Sequence, residues 1–190
     1  TSLGVQVHGG MGFIEETGIA QLYRDAKILT IYEGTTAIQA NDLVGRKTGR
    51  DGGAVARAIA ARIEATEGEL AAIDSVPARA MLKRLRAARQ AFVDVVDFVV
   101  AQGKSDPGAV FAGSVPYLML AGNLVAGWQM ARALVIATQR LADGEDKDFM
   151  QAKVTTAHFY AEHILSRVPG TRDSIVEGGG AVTAMALEAF

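Results

Sequence analysis

Three short stretches near the start of the chain hold the residues whose types and spacing could do chemistry. Gly9-Gly10-Met11-Gly12 offers backbone amides that a phosphate can approach closely, because glycine lacks the Cβ that would stand in the way. His8, beside these glycines, can either touch such an anion or cap the helix before it, and the sequence favours neither. Glu33, in Ile31-Tyr32-Glu33-Gly34-Thr35, stands alone as a carboxylate with apolar residues before it and a glycine after it. It reads either as a first-turn glutamate favoured by a helix dipole or as a general base. In an apolar pocket its pKa would rise toward the range where it can take a proton from carbon. Spacing alone does not choose between these. Arg24 and Asp25 read as an ion pair or a helix-end contact.

The glycine cluster is not a P-loop, since no Gly-Lys-Ser/Thr follows. No strand precedes it as a dinucleotide fingerprint would require. The chain has no cysteine, which excludes disulfides, thiolate metal sites and cysteine nucleophiles. Among its three histidines, His158 and His163 stand five apart, not at the four-residue spacing that shares one metal, so no metal site is expected. Net charge is −2, from 19 basic and 21 acidic residues, which gives no footprint for nucleic acid. There is no uninterrupted apolar run of membrane-spanning length and no signal-peptide pattern, and the lack of cysteine suits the cytoplasm.

The elements that must position these residues are helical throughout. Prolines occur only at 77, 107, 116 and 169, and alanine-rich segments of helical period lie between them. A short helix is expected over about 17–27, ending in basic residues, and a second from a threonine N-cap after Thr35 to about Val44. The polar, glycine-rich run Gly45–Gly53 reads as a connector and domain boundary, which divides the chain into 1–48 and 49–190. Beyond it, Val55, Ile59 and Ile63 mark a helix fading near Asp74-Ser75. Met81, Leu85, Ala88, Phe92, Val96 and Val99 stripe the next, with Pro77 in its first turn. The longest stripe, Tyr117, Ala121, Leu124, Trp128, Ala131, Val135 and Thr138, has the spacing of an antiparallel bundle helix. A fourth long helix covers about 147–167 and ends before Pro169; the segment from Ser174, broken by Gly178-Gly179-Gly180, carries a weaker helical signal. The expected fold is all-α, with an up-and-down bundle of four main helices after residue 48. Lys83, Arg84, Arg86 and Arg89 read as a solvated helix face, and Trp128 as core.

Taken together, Gln6-Val7-His8-Gly9-Gly10-Met11-Gly12-Phe13, Tyr23-Arg24-Asp25-Ala26-Lys27-Ile28 and Ile31-Tyr32-Glu33-Gly34-Thr35 resemble, in order and spacing, the last part of the acyl-CoA dehydrogenase family. Residues 1–48 carry the resemblance. The rest is similar, in position, length and helical character, to the extra C-terminal helical domain of the longer members. The chain opens without Met, on Thr1-Ser2-Leu3-Gly4, as the C-terminal part of a larger flavoenzyme would.

The resemblance implies α,β-dehydrogenation of an acyl-CoA thioester, with Glu33 abstracting the α-proton and FAD accepting the β-hydride at flavin N5. The enolate is then stabilised by donors that include the Glu33 backbone amide, and Gly34 lies against substrate. It further implies that Gln6, Val7, His8, Gly9 and Gly10 reach the FAD of the neighbouring subunit in a homodimer. Thr35 and Thr36 would touch FAD, while Ala37 stands where medium-chain members carry a glutamine. Electron-transferring flavoprotein is the expected acceptor. The isolated chain is expected to bind no flavin tightly and to be inactive. Two other readings remain: an acyl-CoA oxidase with the same base and flavin, and a helical self-association module without catalysis.

Overall fold

A computed structural model describes residues 1–189. It is all-α, with no strand among the described residues. The chain divides into two compact units, Thr1–Gln39 and Ala40–Phe190, with the division falling inside one helix.

The first unit is short and thinly packed. Helix α1 (Ser2–Val7) is followed by 3₁₀ turns at Gly9–Gly12 and Glu15–Thr17, then by α2 (Ile19–Ile28). Gly18, at φ 73, stops the second turn in the left-handed region where glycine is at ease and starts α2. Lys27 sits in the last turn of α2, where a cation meets the negative end of the helix dipole. Arg24 pairs with Glu15 at 2.9 Å rather than with its neighbour Asp25. Only Ala20 of this unit is a buried apolar side chain, while Leu3, Val7 and Phe13 are largely exposed.

The second unit is the bundle. Helix α3 (Thr36–Asp42), which begins in the first unit, runs directly into a π-helical stretch, Leu43–Gly49. Helices α4 (Ala54–Ala71), α5 (Val76–Gln102), α6 (Pro107–Ala112), α7 (Ser114–Ala142), α8 (Lys147–His163), α9 (Val168–Val176) and α10 (Gly179–Thr183) follow. Tertiary pairs fix the directions of the long helices. Arg57 meets Asp97 and Arg89 meets Glu67, so α4 and α5 are antiparallel. Tyr117 packs on Phe92, and the Tyr160 hydroxyl donates to the Asn123 carbonyl. The four long helices therefore alternate up and down, with α9 laid against α5 and α7.

The core is built by the α5 stripe as the spacing predicts, with Met81, Leu85, Ala88 and Val96 fully buried. Small residues let the facing helices approach. A Cβ on Gly127 would stand 2.6 Å from Leu165 Cδ2, and Ala131, Ala157 and Ala161 are fully buried. Ser75 caps α5 by accepting from the Ala78 amide, an arrangement worth about 1 kcal/mol, with Pro77 in the first turn. Helix α7 is long and apolar enough to cross a membrane by length and composition. Here one face of it, Tyr117, Leu120, Leu124 and Leu134, is buried in the bundle.

Several expectations need correction. The run read as a connector from Gly45 is helical through Gly49, because Val44 and Thr48 are buried and the Thr48 and Tyr117 hydroxyls share a hydrogen bond of 3.0 Å; only Arg50–Gly53 turns. The buried face of α4 is Ala56, Ala60, Ile63 and Leu70 with Ile59 packed beside it, so of the predicted stripe Val55 alone points to solvent. Helix α8 ends at His163, and Pro169 sits in the first turn of α9 instead of ending the helix before it. The Arg84, Arg86 and Arg89 group is not simply a solvated face. Arg84 pairs with Glu162 at 2.8 Å, while Arg89 Nε donates to buried Glu67 at 2.6 Å and Arg86 reaches the same carboxylate. Trp128 is half-buried. Its Nε1 donates to Thr66, and the guanidinium groups of Arg62 and Arg132 lie over its ring, 5.2 and 5.8 Å from the centroid.

Candidate functional site

All the residues singled out for chemistry lie in the first unit, in two groups separated along the chain by α2, a helix about 15 Å long. The first group is the end of α1 and the turn after it. Gln6, Val7, His8, Gly9 and Gly10 are all exposed. The His8 Nδ1 donates to the Gly4 carbonyl at 2.9 Å, so one ring nitrogen closes α1. Gly9 has φ 59, and a Cβ at Gly9 or Gly10 would meet nothing within 4 Å. These two positions thus present bare backbone to solvent. Gly12 is different, since its missing Cβ would stand 2.2 Å from the Val5 carbonyl oxygen. The turn needs glycine there in order to close. Thr17 braces the same turn by donating to the Met11 carbonyl at 2.7 Å. Beside it a hollow of about 410 Å³ is lined by Gln6, Gly12, Phe13, Tyr23 and Arg24, among others.

The second group is the loop after α2. Thr30 donates to the Lys27 carbonyl at 2.8 Å, and the Thr36 amide returns to the Thr30 carbonyl at 3.2 Å, which closes a tight loop over 31–35. Glu33 is at its tip, with φ 54, the left-handed region that costs a non-glycine residue roughly 1–2 kcal/mol. Gly34 follows at φ 102. Gln39 Nε2, one turn into α3, donates to the Glu33 carbonyl at 2.7 Å. The Glu33 and Gly34 amides make no hydrogen bond among the described residues. The loop therefore spends side-chain hydrogen bonding to hold a strained backbone whose amides stay uncommitted. Such strain persists only where surrounding contacts over-determine it.

Two local expectations change here. Glu33 precedes the helix in a left-handed turn instead of sitting in its first turn. Helix α3 starts after Thr35 as expected, the Thr35 carbonyl accepting from the Gln39 amide at 3.1 Å, but neither the Thr35 nor the Thr36 hydroxyl makes a hydrogen bond among the described residues, and Gln39 Nε2 ties the loop to the helix instead. The Glu33 side chain is exposed, as are Ile31, Tyr32 and Ile38 around it, so residues 1–39 by themselves form no apolar enclosure for the carboxylate. Sequence reasoning missed Gln39 altogether. Its only signal was a polar residue six positions after an isolated acid.

The exposed glycine backbone at 9–10 and the free Thr35 hydroxyl suit the diphosphate and polar edges of a dinucleotide. Neither group has the acidic or histidine clustering of a metal site, and no such cluster occurs among the described residues.

Comparison with known proteins bears on both units. Residues 55–186 match the family model described as "Acetyl-CoA dehydrogenase C-terminal like", and residues 1–47 match "Acyl-CoA dehydrogenase, C-terminal domain". A 3-methylmercaptopropionyl-CoA dehydrogenase of Ruegeria pomeroyi is 53% identical over 182 residues, which cover 92% of this chain and 31% of the relative. A broad-specificity linear acyl-CoA dehydrogenase of Mycobacterium tuberculosis is 35% identical over 90% of this chain and 29% of its own length. A butyryl-CoA dehydrogenase of Syntrophomonas wolfei is 32% identical over 100% of this chain and 31% of its own. The chain thus spans about a third of the length of the curated relatives it matches.

Proposed function

Because the chain belongs to the acyl-CoA dehydrogenase family, we propose that it forms the C-terminal portion of an FAD-dependent enzyme that desaturates an acyl-CoA thioester between its α and β carbons. In this reading residues 1–48 complete the flavin-binding helical domain and 49–190 form an additional bundle. FAD, when bound, supplies the hydride acceptor.

Glu33 takes the α-proton on its carboxylate. The observation that carries this is the backbone at Glu33, left-handed, tied at its carbonyl by Gln39 and free at its amide. An α-C–H is a weak acid, so the developing negative charge on the thioester oxygen needs preorganised donors. The Glu33 amide is such a donor, and it costs no reorganisation because no internal partner must be broken. Gly34 lies against substrate in this reading, and its φ of 102 suits glycine. The exposed side chains around Glu33 supply apolar surface that excludes water once substrate and the rest of the protein cover it.

Gln6 to Gly10 and Thr35 to Thr36 hold FAD, the first through Gly9 and Gly10 backbone and the second through hydroxyls. In this reading Gln6 to Gly10 reach the FAD of the neighbouring subunit in a homodimer. Electrons leave to electron-transferring flavoprotein.

The test is Glu33→Gln in the full-length, flavin-loaded enzyme. Flavin content is expected to stay stoichiometric while acyl-CoA-dependent bleaching slows by roughly 10²–10⁴-fold, the usual worth of a positioned general base. Bleaching at the parent rate would remove Glu33 from the reaction.

A further inference from the structure

A cleft of about 520 Å³ opens in the bundle between the π-helical stretch, the start of α4, α5 and α7, and the proposed dehydrogenation does not use it. Its size falls within the roughly 300–1,000 Å³ of small-molecule sites. The walls are apolar: Ile59, Phe92, Leu124 and Val125 line it. Its two uncharged polar side chains, Thr48 and Tyr117, satisfy each other through their hydroxyls at 3.0 Å, so the interior asks for no polar ligand atom. Burial holds the Tyr117 phenol above its ordinary range, and it stays neutral. Val125 and Val55, both on the cleft, leave 41% and 61% of their surface to water, apolar area that an occupant would cover.

The polar lining is cationic in balance. Arg46, Lys47 and Arg50 line the cleft together with one acid, Asp51. Asp42 pairs with Arg46 at 3.1 Å and with Lys47 at 3.4 Å. Asp51 is occupied as the cap of α4, accepting from the Gly53 and Val55 amides at 2.9 and 3.0 Å. Arg50 has no carboxylate partner among the described residues, and it is exposed. An apolar slot beside an unpartnered guanidinium has the complementarity of one molecule type.

We infer that this cleft binds a single-chain amphiphile with an anionic head, its alkyl chain between α4 and α7 and its head on Arg50. No residue lining the cleft belongs to the Glu33 loop, and its occupancy is read without reference to turnover.

The experiment uses the full-length flavin-loaded protein and dodecanoic acid carrying a terminal diazirine. After irradiation, label is expected in the tryptic peptides 58–62 and 105–132, which hold Ile59 and Val125. Excess dodecanoate or dodecyl phosphate should compete, dodecanol much less, and the stronger of the two acids identifies the head. Arg50→Glu should weaken competition by roughly tenfold, the loss of one charge-assisted contact. Val125→Glu should abolish labelling of both peptides. Both positions are exposed, and far-UV circular dichroism of both variants checks that the fold is kept. Labelling confined to other peptides, or competition by dodecanol equal to that by the acids, overturns the inference.

Discussion

Gln39 and Glu33 are joined by a single hydrogen bond of 2.7 Å that runs from a side-chain amide to a main-chain carbonyl. The bond fixes the peptide plane that follows Glu33 and so helps decide where its carboxylate is aimed. Gln39 is therefore a positioning residue, since it acts on the base without needing to touch substrate.

Gln39→Leu in the full-length enzyme is expected to lower kcat by about fivefold to tenfold, the worth of one net hydrogen bond of about 1 kcal/mol. KM and flavin content should hardly change, and Gln39→Asn should not restore the rate, because its side chain is one methylene short. An unchanged kcat in the leucine variant would mean that the left-handed turn holds itself.

Gly10 and Gly12 lie two residues apart and make opposite predictions. Gly12→Ala drives a Cβ into the Val5 carbonyl and should destabilise this segment by on the order of 2 kcal/mol, visible as faster amide exchange in α1. Gly10→Ala meets open space and should leave exchange unaltered while weakening flavin retention. Full flavin retention in Gly10→Ala would remove that glycine from the cofactor contacts.

Glu67 is almost fully buried, with Arg89 at 2.6 Å and Arg86 at 3.4 Å. Glu67→Ala strands Arg89 in a half-closed space and is expected to cost about 3 kcal/mol of stability. The double variant Glu67→Leu with Arg89→Leu should recover most of that loss. Urea denaturation of both checks it; a double variant as weak as the single one would show that packing, not charge, was lost.

Acid should weaken the bundle through two carboxylates. Backbone amides, Val55 first, hold Asp51 below the ordinary carboxylate range, and the hydrogen bond from Arg84 holds Glu162 below it. Each group binds its proton less readily folded than unfolded. Their contribution is therefore complete above the unfolded values near 4 and drains away as pH falls through the lower folded ones. Urea midpoints measured from pH 6 down to pH 3 should show this decline, and Asp51→Asn with Glu162→Gln should flatten it.

The long helices were legible because their periodicity is set by burial, and the α5 stripe is the clearest case. The errors came where alanine, which fits both faces of a helix, blurred the phase, as at Val55 beside Ala56. The basic group on α5 was misread because its partner Glu67 lies on another helix, about twenty residues away, and no local pattern announces it. The candidate base was visible as an isolated acid before glycine, but its left-handed backbone was not. That conformation is imposed by Gln39 and the closing of the loop, and neither leaves a mark in composition.

The π-helical stretch from Leu43 to Gly49 has a consequence for how the chain tolerates length changes. Each of its turns carries one more residue than an α-turn, so the segment stores an insertion without forming a loop. Removing one residue before Thr48 would let the helix tighten to α geometry, and because four α steps sweep nearly the same angle as five π steps, Thr48 would still face the Tyr117 hydroxyl. A surface turn such as Arg50–Gly53 absorbs such a change. The stretch just before it absorbs one as well, inside a helix and without a loop.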